Sequence, residues 1–196
     1  MILKRLFDII ASFIGLIFLI PLFLLIAILI KTKMPGPVIF KQQRAGRNGK
    51  PFTLFKFRSM TINHHGGTVT VKGEKRITSL GAWLRKYKLD ELPELWNVLK
   101  GDMSFVGPRP DMPDYIERLQ GEEVKILALR PGITGPATLK YSNEEEVLAK
   151  VSDPQQYSDT VIWPEKVKLN LDYVRNRSFA GDIRIIMMTL FNIGGF

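Results

Sequence analysis

From residue 9 to residue 30 the chain reads IIASFIGLIFLIPLFLLIAILI, without one charged side chain, and no other feature restricts its fold as much. A straight helix over that run would be about 33 Å long, enough to cross the hydrocarbon core of a bilayer. A secretory signal needs a small-residue cleavage site after its apolar stretch, and Ile28-Leu29-Ile30-Lys31-Thr32-Lys33 offers none, so the segment is expected to stay. Pro21 lies near its middle, where it removes a backbone hydrogen bond and disrupts the turn before it. Both flanks are basic, Lys4 and Arg5 before, Lys31 and Lys33 after. Cytoplasmic sides attract such residues. If both flanks obey, the helix enters, breaks at Pro21 and leaves by the face it entered, since each half, about 16 Å, is too short to cross alone. A kinked ordinary span is the competing reading.

Pro35-Gly36-Pro37 is a breaker cluster that divides the chain into a membrane piece, residues 1–34, and a second part, residues 35–196. That second part is long enough to bury a core of its own. The 196 residues contain no cysteine, which excludes a disulfide scaffold, a thiolate nucleophile and cysteine metal ligands. Lysine and arginine number 28 against 19 aspartates and glutamates, a net charge of +9. Such a balance asks for an anionic partner: nucleic acid, a phosphorylated metabolite or an anionic lipid surface.

Along the second part, residues 38–40 and 52–57 read as short strands joined by the turn Gly46-Arg47-Asn48-Gly49, a small β-hairpin. Residues 63–73 are polar and without period, a loop; His64 and His65 in it lack a third ligand for zinc. Residues 78–88 predict a helix through Leu80, Trp83, Leu84 and Tyr87, and a second follows with Leu92, Leu95, Trp96 and Leu99 as its apolar stripe and Gly101 as its end. Trp83 and Trp96 thereby fall to the core. Pro93 is acceptable only in a first turn, which puts Asp90 near an N-cap and Glu91 in the opening turn. Residues 103–110 and 130–136 read as two rigid loops, each bearing glycine, proline and an arginine (Arg109, Arg130). Helices are expected at 111–119, 122–129, 161–177 and 182–192, with an acidic helix start at 144–146. The last helix fits either the core or the membrane interface.

Asp90 and Glu91, two adjacent carboxylates among many cations, admit two explanations. One is local: aspartate caps helices and glutamate in a first turn complements the dipole. The other is chemical. Arg85, Lys86 and Lys88 precede the pair and Arg109 follows it, and an enzyme acting on a diphosphate needs cations for developing charge and a divalent ion to clamp oxygens. A carboxylate can ligate that ion, or attack phosphorus to give an acyl phosphate. Beside a membrane segment, the matching substrate is a phosphorylated lipid.

Residues 88–110, KLDELPELWNVLKGDMSFVGPRP, closely resemble the signature of the bacterial sugar transferase family, the monotopic phosphoglycosyl transferases. Further matching pieces are Lys4-Arg5-Leu6-Phe7-Asp8, Phe55-Lys56-Phe57-Arg58-Ser59-Met60, Arg130-Pro131-Gly132-Ile133-Thr134-Gly135 and Tyr173-Val174-Arg175-Asn176, so the resemblance covers nearly the whole chain. It implies transfer of a phosphosugar from a UDP-sugar to undecaprenyl phosphate, with UMP released, as the first membrane step of bacterial glycoconjugate assembly. By the same resemblance Asp90 is the nucleophile of a two-step displacement and lies at a magnesium ion. Glu91 is its partner, Arg109 binds phosphate, and Lys56, Arg85 and Arg130 occupy basic positions for substrate. The implied fold is mainly α with a small β-hairpin. A re-entrant membrane helix, residues 1–34, carries a catalytic domain, residues 35–196, with interfacial amphipathic helices on the cytoplasmic face of the inner membrane. The implied partners are the UDP-sugar, undecaprenyl phosphate and membrane lipid, and no nucleic acid; a homo-oligomer is left open.

Two departures are visible. Relatives often carry Ser-Pro at the membrane break, where this chain has Ile20-Pro21. After Gly135 many have a Trp-Ala-Gln-Val-Asn-Gly-Arg type segment, where this chain reads Pro136-Ala137-Thr138-Leu139-Lys140-Tyr141-Ser142. Two other functions share parts of the pattern. A basic membrane-anchored binding module explains the charge but not the dyad, and a nucleotide-sugar hydrolase would use the same site with water as acceptor. The sugar and the glycan are not written in the sequence.

Overall fold

The uncharged run folds as two helices. In the computed structural model, which describes residues 2–62, 71 and 73–191, α1 (Ile2–Phe18) and α2 (Ile20–Lys33) meet at a bend of 60°. Neither helix alone is long and apolar enough to cross a membrane. The break falls at Leu19 (φ −89°, ψ 2°), and Pro21 sits inside the first turn of α2 rather than at the break. The physics is the one expected of proline, displaced by two residues: the ring crowds the backbone preceding it, and its missing N–H costs nothing at a helix start.

The first turns of α1 do not behave as a solvated basic flank. Lys4 Nζ donates to Asp182 Oδ2 at 2.6 Å and to the Val106 carbonyl at 2.9 Å. Arg5 donates to the Val98 and Leu99 carbonyls at 2.7 and 2.9 Å. Asp8, 2% exposed, accepts from Ser104 Oγ and from the Phe105 N–H. Lys4 and Arg5 are therefore spent inside the protein, whereas Lys31 and Lys33 at the end of α2 are exposed.

The hairpin is β1 (Ile39–Ala45) against β2 (Pro51–Phe57), antiparallel, with Ile39 opposite Phe57 and Ala45 opposite Pro51. Its first strand runs longer than its apolar part, because the polar stretch Lys41 to Arg44 keeps pairing, with Lys41 and Gln43 exposed and Gln42 and Arg44 half-buried on the other face. Asn48 (φ 57°) takes the left-handed position in the turn, which asparagine tolerates. Phe57 packs with Ile26, Ile30, Met34 and Leu84, so the end of α2 is part of the domain core. Phe52 and Leu54 pack with Val98 and Met103 in a second cluster. α3 (Ser79–Lys86) begins at Thr78, whose hydroxyl accepts from the Gly81 N–H, and α4 (Glu94–Lys100) ends at Gly101 with φ 96°.

The two segments read as independent rigid loops are one structure. β3 (Ser104–Val106) and β4 (Gly132–Thr134) pair in parallel, Ser104 with Gly132 and Val106 with Thr134. Glycine permits the approach: a Cβ on Gly132 would lie 2.1 Å from the Gly107 nitrogen, and one on Gly135 2.3 Å from the Gly107 carbonyl oxygen. The rest is helical: α5 (Pro113–Ile116), a 3-10 stretch over Gly121–Ala128, α6 (Pro136–Lys140), α7 (Glu144–Leu148), α8 (Pro154–Tyr157), a wider π turn over Ser158–Ile162, α9 (Trp163–Asn176) and α10 (Phe179–Leu190). Trp83 and Trp96 are about half exposed, at 47% and 49%, and not core residues as their stripes suggested. Leu84, Leu95 and Val98 fill the interior instead. His64 and His65 lie outside the described residues.

Since β4 can sit against β3 only without side chains at this crossing, Gly132→Ala is expected to destabilise the protein by about 1–3 kcal/mol. Thermal unfolding checks it: a Tm within about 1 °C of the wild type would contradict so close an approach.

Candidate active site

The carboxylate pair is placed by a sharp change of direction. α3 ends, the chain turns through Lys88 in the left-handed region (φ 55°), and Leu89–Glu91 form a single 3-10 turn before α4. Leu89 and Leu92 pack onto the core shared with α2. Asp90 is thereby carried in a tight turn, 5% exposed, and is not the cap of α4: that position belongs to Pro93, with no side-chain cap. The capping explanation of Asp90 is thus set aside.

Glu91 is fully committed. Its Oε1 accepts from Lys56 Nζ at 2.7 Å and from Arg109 Nη2 at 2.6 Å. Lys56 comes from β2, and Arg109 from the segment that follows β3. One oxygen thus joins the hairpin, the β3–β4 crossing and the dyad turn. Burial pushes Glu91 up, but Arg109 and Lys56 together outweigh it and hold the carboxyl well below the usual range. Arg109 is stabilised as a cation in turn, chiefly by Glu91.

Asp90 is the opposite case. No described residue donates a hydrogen bond to its carboxylate. Burial and then the neighbouring Glu91 raise its pKa, with Lys56, Arg85 and Lys88 pulling the other way through their fields alone. The turn thus holds one carboxylate locked by cations and, beside it, a buried one to which no described residue donates a hydrogen bond.

A third carboxylate belongs to the cluster and escaped the sequence reading. Glu94, 2% exposed, lies 3.1 Å from Lys56 Nζ. Burial, helped by Glu91 and opposed by Lys56, raises its pKa to about 7. Its spacing from Glu91, three residues on helical backbone, was the available signal. Asp111, beyond Arg109, is raised to about 6 by burial, against the fields of Lys166, Arg44 and Arg109.

Of the other basic residues singled out, Lys56 and Arg109 are brought together on Glu91. Arg85 pairs with Glu145 on α7 and reaches Ser59 Oγ at 3.5 Å, so it acts on Asp90 at longer range. Arg130 is not brought to the dyad: its Nε donates to the Gly101 carbonyl at 2.7 Å, at the far end of α4 beside Arg5. The divergent segment after Gly135 folds as α6, where Lys140 and Tyr141 both bind Glu165 of α9.

Among the described residues no three His, Asp or Glu side chains stand together as a metal cage. Magnesium needs none, since it is commonly held by one or two carboxylates and the phosphates of a substrate. Asp90, with no hydrogen bond of its own to lose, fits as that oxygen donor, whereas Glu91 Oε1 is already shared by two cations.

Residues 1–195 match the bacterial sugar transferase family, and the chain belongs to it. It is an enzyme, of the phosphoglycosyl transferase kind. It is 38% identical to the uncharacterized sugar transferase EpsL of Bacillus subtilis (strain 168) over 97% of this chain and 86% of the relative. It is 39% identical to the UDP-glucose:undecaprenyl-phosphate glucose-1-phosphate transferase of Klebsiella pneumoniae over 97% of this chain and 40% of that protein. A putative undecaprenyl-phosphate N-acetylgalactosaminyl 1-phosphate transferase of Bacillus subtilis is 45% identical over 72% of this chain and 79% of its own length. The chain thus spans about two fifths of the length of several longer relatives.

Glu94 gives the site a pH signature. Folded Glu94 keeps its proton to about pH 7, against 4.5 for an ordinary glutamate, so its stabilising contribution is complete below about pH 4.5 and is lost as pH rises through about 7. Between about pH 5 and about pH 8 the wild type should therefore lose on the order of 1–3 kcal/mol of stability relative to Glu94→Gln. Thermal unfolding of both proteins across that range checks it, and a difference that stays flat or grows in favour of the wild type would contradict the assignment.

Proposed function

We propose that this chain transfers a phosphosugar from a UDP-sugar to undecaprenyl phosphate and releases UMP, by way of a phosphosugar-aspartyl intermediate on Asp90. The observation that carries the proposal is the division of labour in the dyad: Glu91 bound to Lys56 and Arg109, Asp90 buried and unbonded. In the first step an Asp90 carboxylate oxygen attacks the β-phosphorus of the donor, the bond from that phosphorus to the bridging oxygen breaks, and UMP leaves with the electron pair. In the second step an oxygen of the lipid phosphate attacks the same phosphorus and the Asp90 carboxylate departs. Burial leaves Asp90 poorly solvated and so a better nucleophile, while Lys56, Arg85 and Lys88 keep its anion accessible. Glu91 aims Lys56 and Arg109 at the position where phosphoryl charge develops. Asp90 and the donor's phosphates would hold magnesium, which when bound would add to the neutralisation of that charge.

The membrane reading is re-entrant. Exposed apolar side chains run along α1 (Leu6, Ile10, Phe13, Ile14, Ile17) and α2 (Leu24, Leu25, Ile28) on either side of the bend. Yet Lys4, Arg5 and Asp8 at one end of the pair, and Ile26, Ile30 and Met34 at the other, are bound to the same domain. Two ends fixed to one domain belong on one side of a membrane, the cytoplasmic side for an enzyme that draws on a nucleotide sugar.

With magnesium and a panel of UDP-sugars, the protein is expected to release UMP and form polyprenyl-diphospho-sugar when polyprenyl phosphate is present. Turnover continuing without lipid would make it a hydrolase instead. Asp90→Asn should lower product formation by about a thousandfold or more with its unfolding temperature retained, and residual activity near wild type would remove Asp90 as nucleophile. Topology is tested separately, and simply, because the chain has no native cysteine. Single cysteines placed before Lys4 and after Lys33 should both react from the cytoplasmic side, and labelling from opposite sides would establish an ordinary span.

A further inference from the structure

A groove of about 560 Å³ lies between the last turn of α2 and the start of α3, lined by Leu29, Lys33, Met34, Leu80 and Trp83 with Thr78 and Ser79 at its edge. That volume is in the range that holds a small ligand. We infer that this groove receives the first isoprene units of the polyprenyl phosphate acceptor and leads its phosphate toward Asp90. The inference rests on the transferase reading and adds to it the place where the lipid is held.

Four observations favour that occupant. Leu25, Leu29 and Lys33 follow one another at four-residue spacing on one face of α2. An exposed apolar side chain is thus followed by a groove wall and then by a cation at the rim, the order of a hydrocarbon chain ending in a phosphate. Second, the groove is preformed. A Cβ on Gly81 would lie 1.8 Å from the Ser59 carbonyl oxygen, so α3 rests backbone to backbone on the segment after β2 and does not drift. Third, the Thr78 hydroxyl on the wall is already engaged by the Gly81 N–H at 2.9 Å and faces the Ser59 carbonyl at 3.4 Å. The free surface is left to the partly exposed Leu29 and Leu80 and the half-exposed Trp83, Met34 being buried, which suits a hydrocarbon. Fourth, α3 connects the groove to the chemistry. Leu80 and Trp83 line the groove in a helix about 12 Å long, and the Lys88 turn to Asp90 begins two residues after that helix ends. A lipid seated here keeps its tail against the exposed apolar side of α2 and its head beside Lys33, the cation that lines the groove.

The test uses the full chain in detergent or lipid nanodiscs. A polyprenyl phosphate carrying a photoreactive group on its first isoprene unit should label peptides that contain residues 29–34 and 78–83. Excess unlabelled polyprenyl phosphate should suppress that labelling, and phosphatidylglycerol at the same concentration should not. Leu80→Gln and Trp83→Ala should each raise the KM for polyprenyl phosphate about tenfold. Both should leave the KM for the UDP-sugar and the lipid-independent first burst of UMP unchanged, and Trp83→Phe should restore the wild-type acceptor KM. Labelling elsewhere, equal suppression by phosphatidylglycerol, an unchanged acceptor KM, or equal changes in both KM values would each overturn the groove. Failure of the wild type to release UMP from any donor would overturn the transferase reading instead, and the labelling map, which needs no turnover, would still decide the groove.

Discussion

One carboxylate oxygen, Glu91 Oε1, is the point at which three parts of the chain converge. Lys56 reaches it from the hairpin, Arg109 from the β3–β4 crossing, and the oxygen itself belongs to the turn between α3 and α4. Among the described residues, removing Glu91 would leave Arg109 without its carboxylate and Lys56 with Glu94 alone. The arrangement is also asymmetric in a useful way. Glu91 absorbs the direct contacts of both cations, so Asp90 beside it feels their field without being tied to them. A carboxylate bound by cations and one without a hydrogen bond from any described residue are therefore carried by adjacent positions.

Helices α1 and α2 enter that arrangement from both sides. Arg5 of α1 and Arg130 bind the carbonyls at the end of α4, the helix whose start carries the dyad, where cations also complement the helix dipole. Ile26, Ile30 and Met34 of α2 share a core with Phe57 and Leu84, against which Leu89 and Leu92 flank Asp90. The depth of Asp90 relative to the apolar helix pair is set by packing and not by a flexible tether. The proposed transfer from a water-soluble donor to a lipid acceptor would need that fixed distance more than a deep pocket.

Much of this was legible beforehand where the signal was local. The hairpin was visible in its apolar strands and glycine turn, α3 in its spacing, the end of α4 in Gly101, and the dyad in two acids crowded by cations. What was not legible was distant in sequence. Lys4 and Asp182 are separated by most of the chain, and Lys4 read alone is a membrane flank. β3 and β4 are three residues each, too short for any period, and their pairing is disclosed only by where glycine is sterically required. Glu94 was passed over because helical spacing makes an acid there look like a solvated face. Its burial follows from Lys56, which arrives from β2. Trp83 and Trp96 fooled the periodicity in the other direction, since an apolar stripe does not say whether protein or lipid will cover it. The break at Leu19 rather than Pro21 was a matter of two residues.

The central claim is that Asp90 becomes covalently attached to the phosphosugar. Incubating the protein with magnesium and its UDP-sugar, without any lipid acceptor, then quenching and mapping peptides by mass spectrometry, tests it most directly. The account predicts a phosphosugar adduct on the peptide bearing Asp90, formed as UMP is released and discharged when polyprenyl phosphate is added. UMP release with Asp90 unmodified, or an adduct on any other residue, would contradict it.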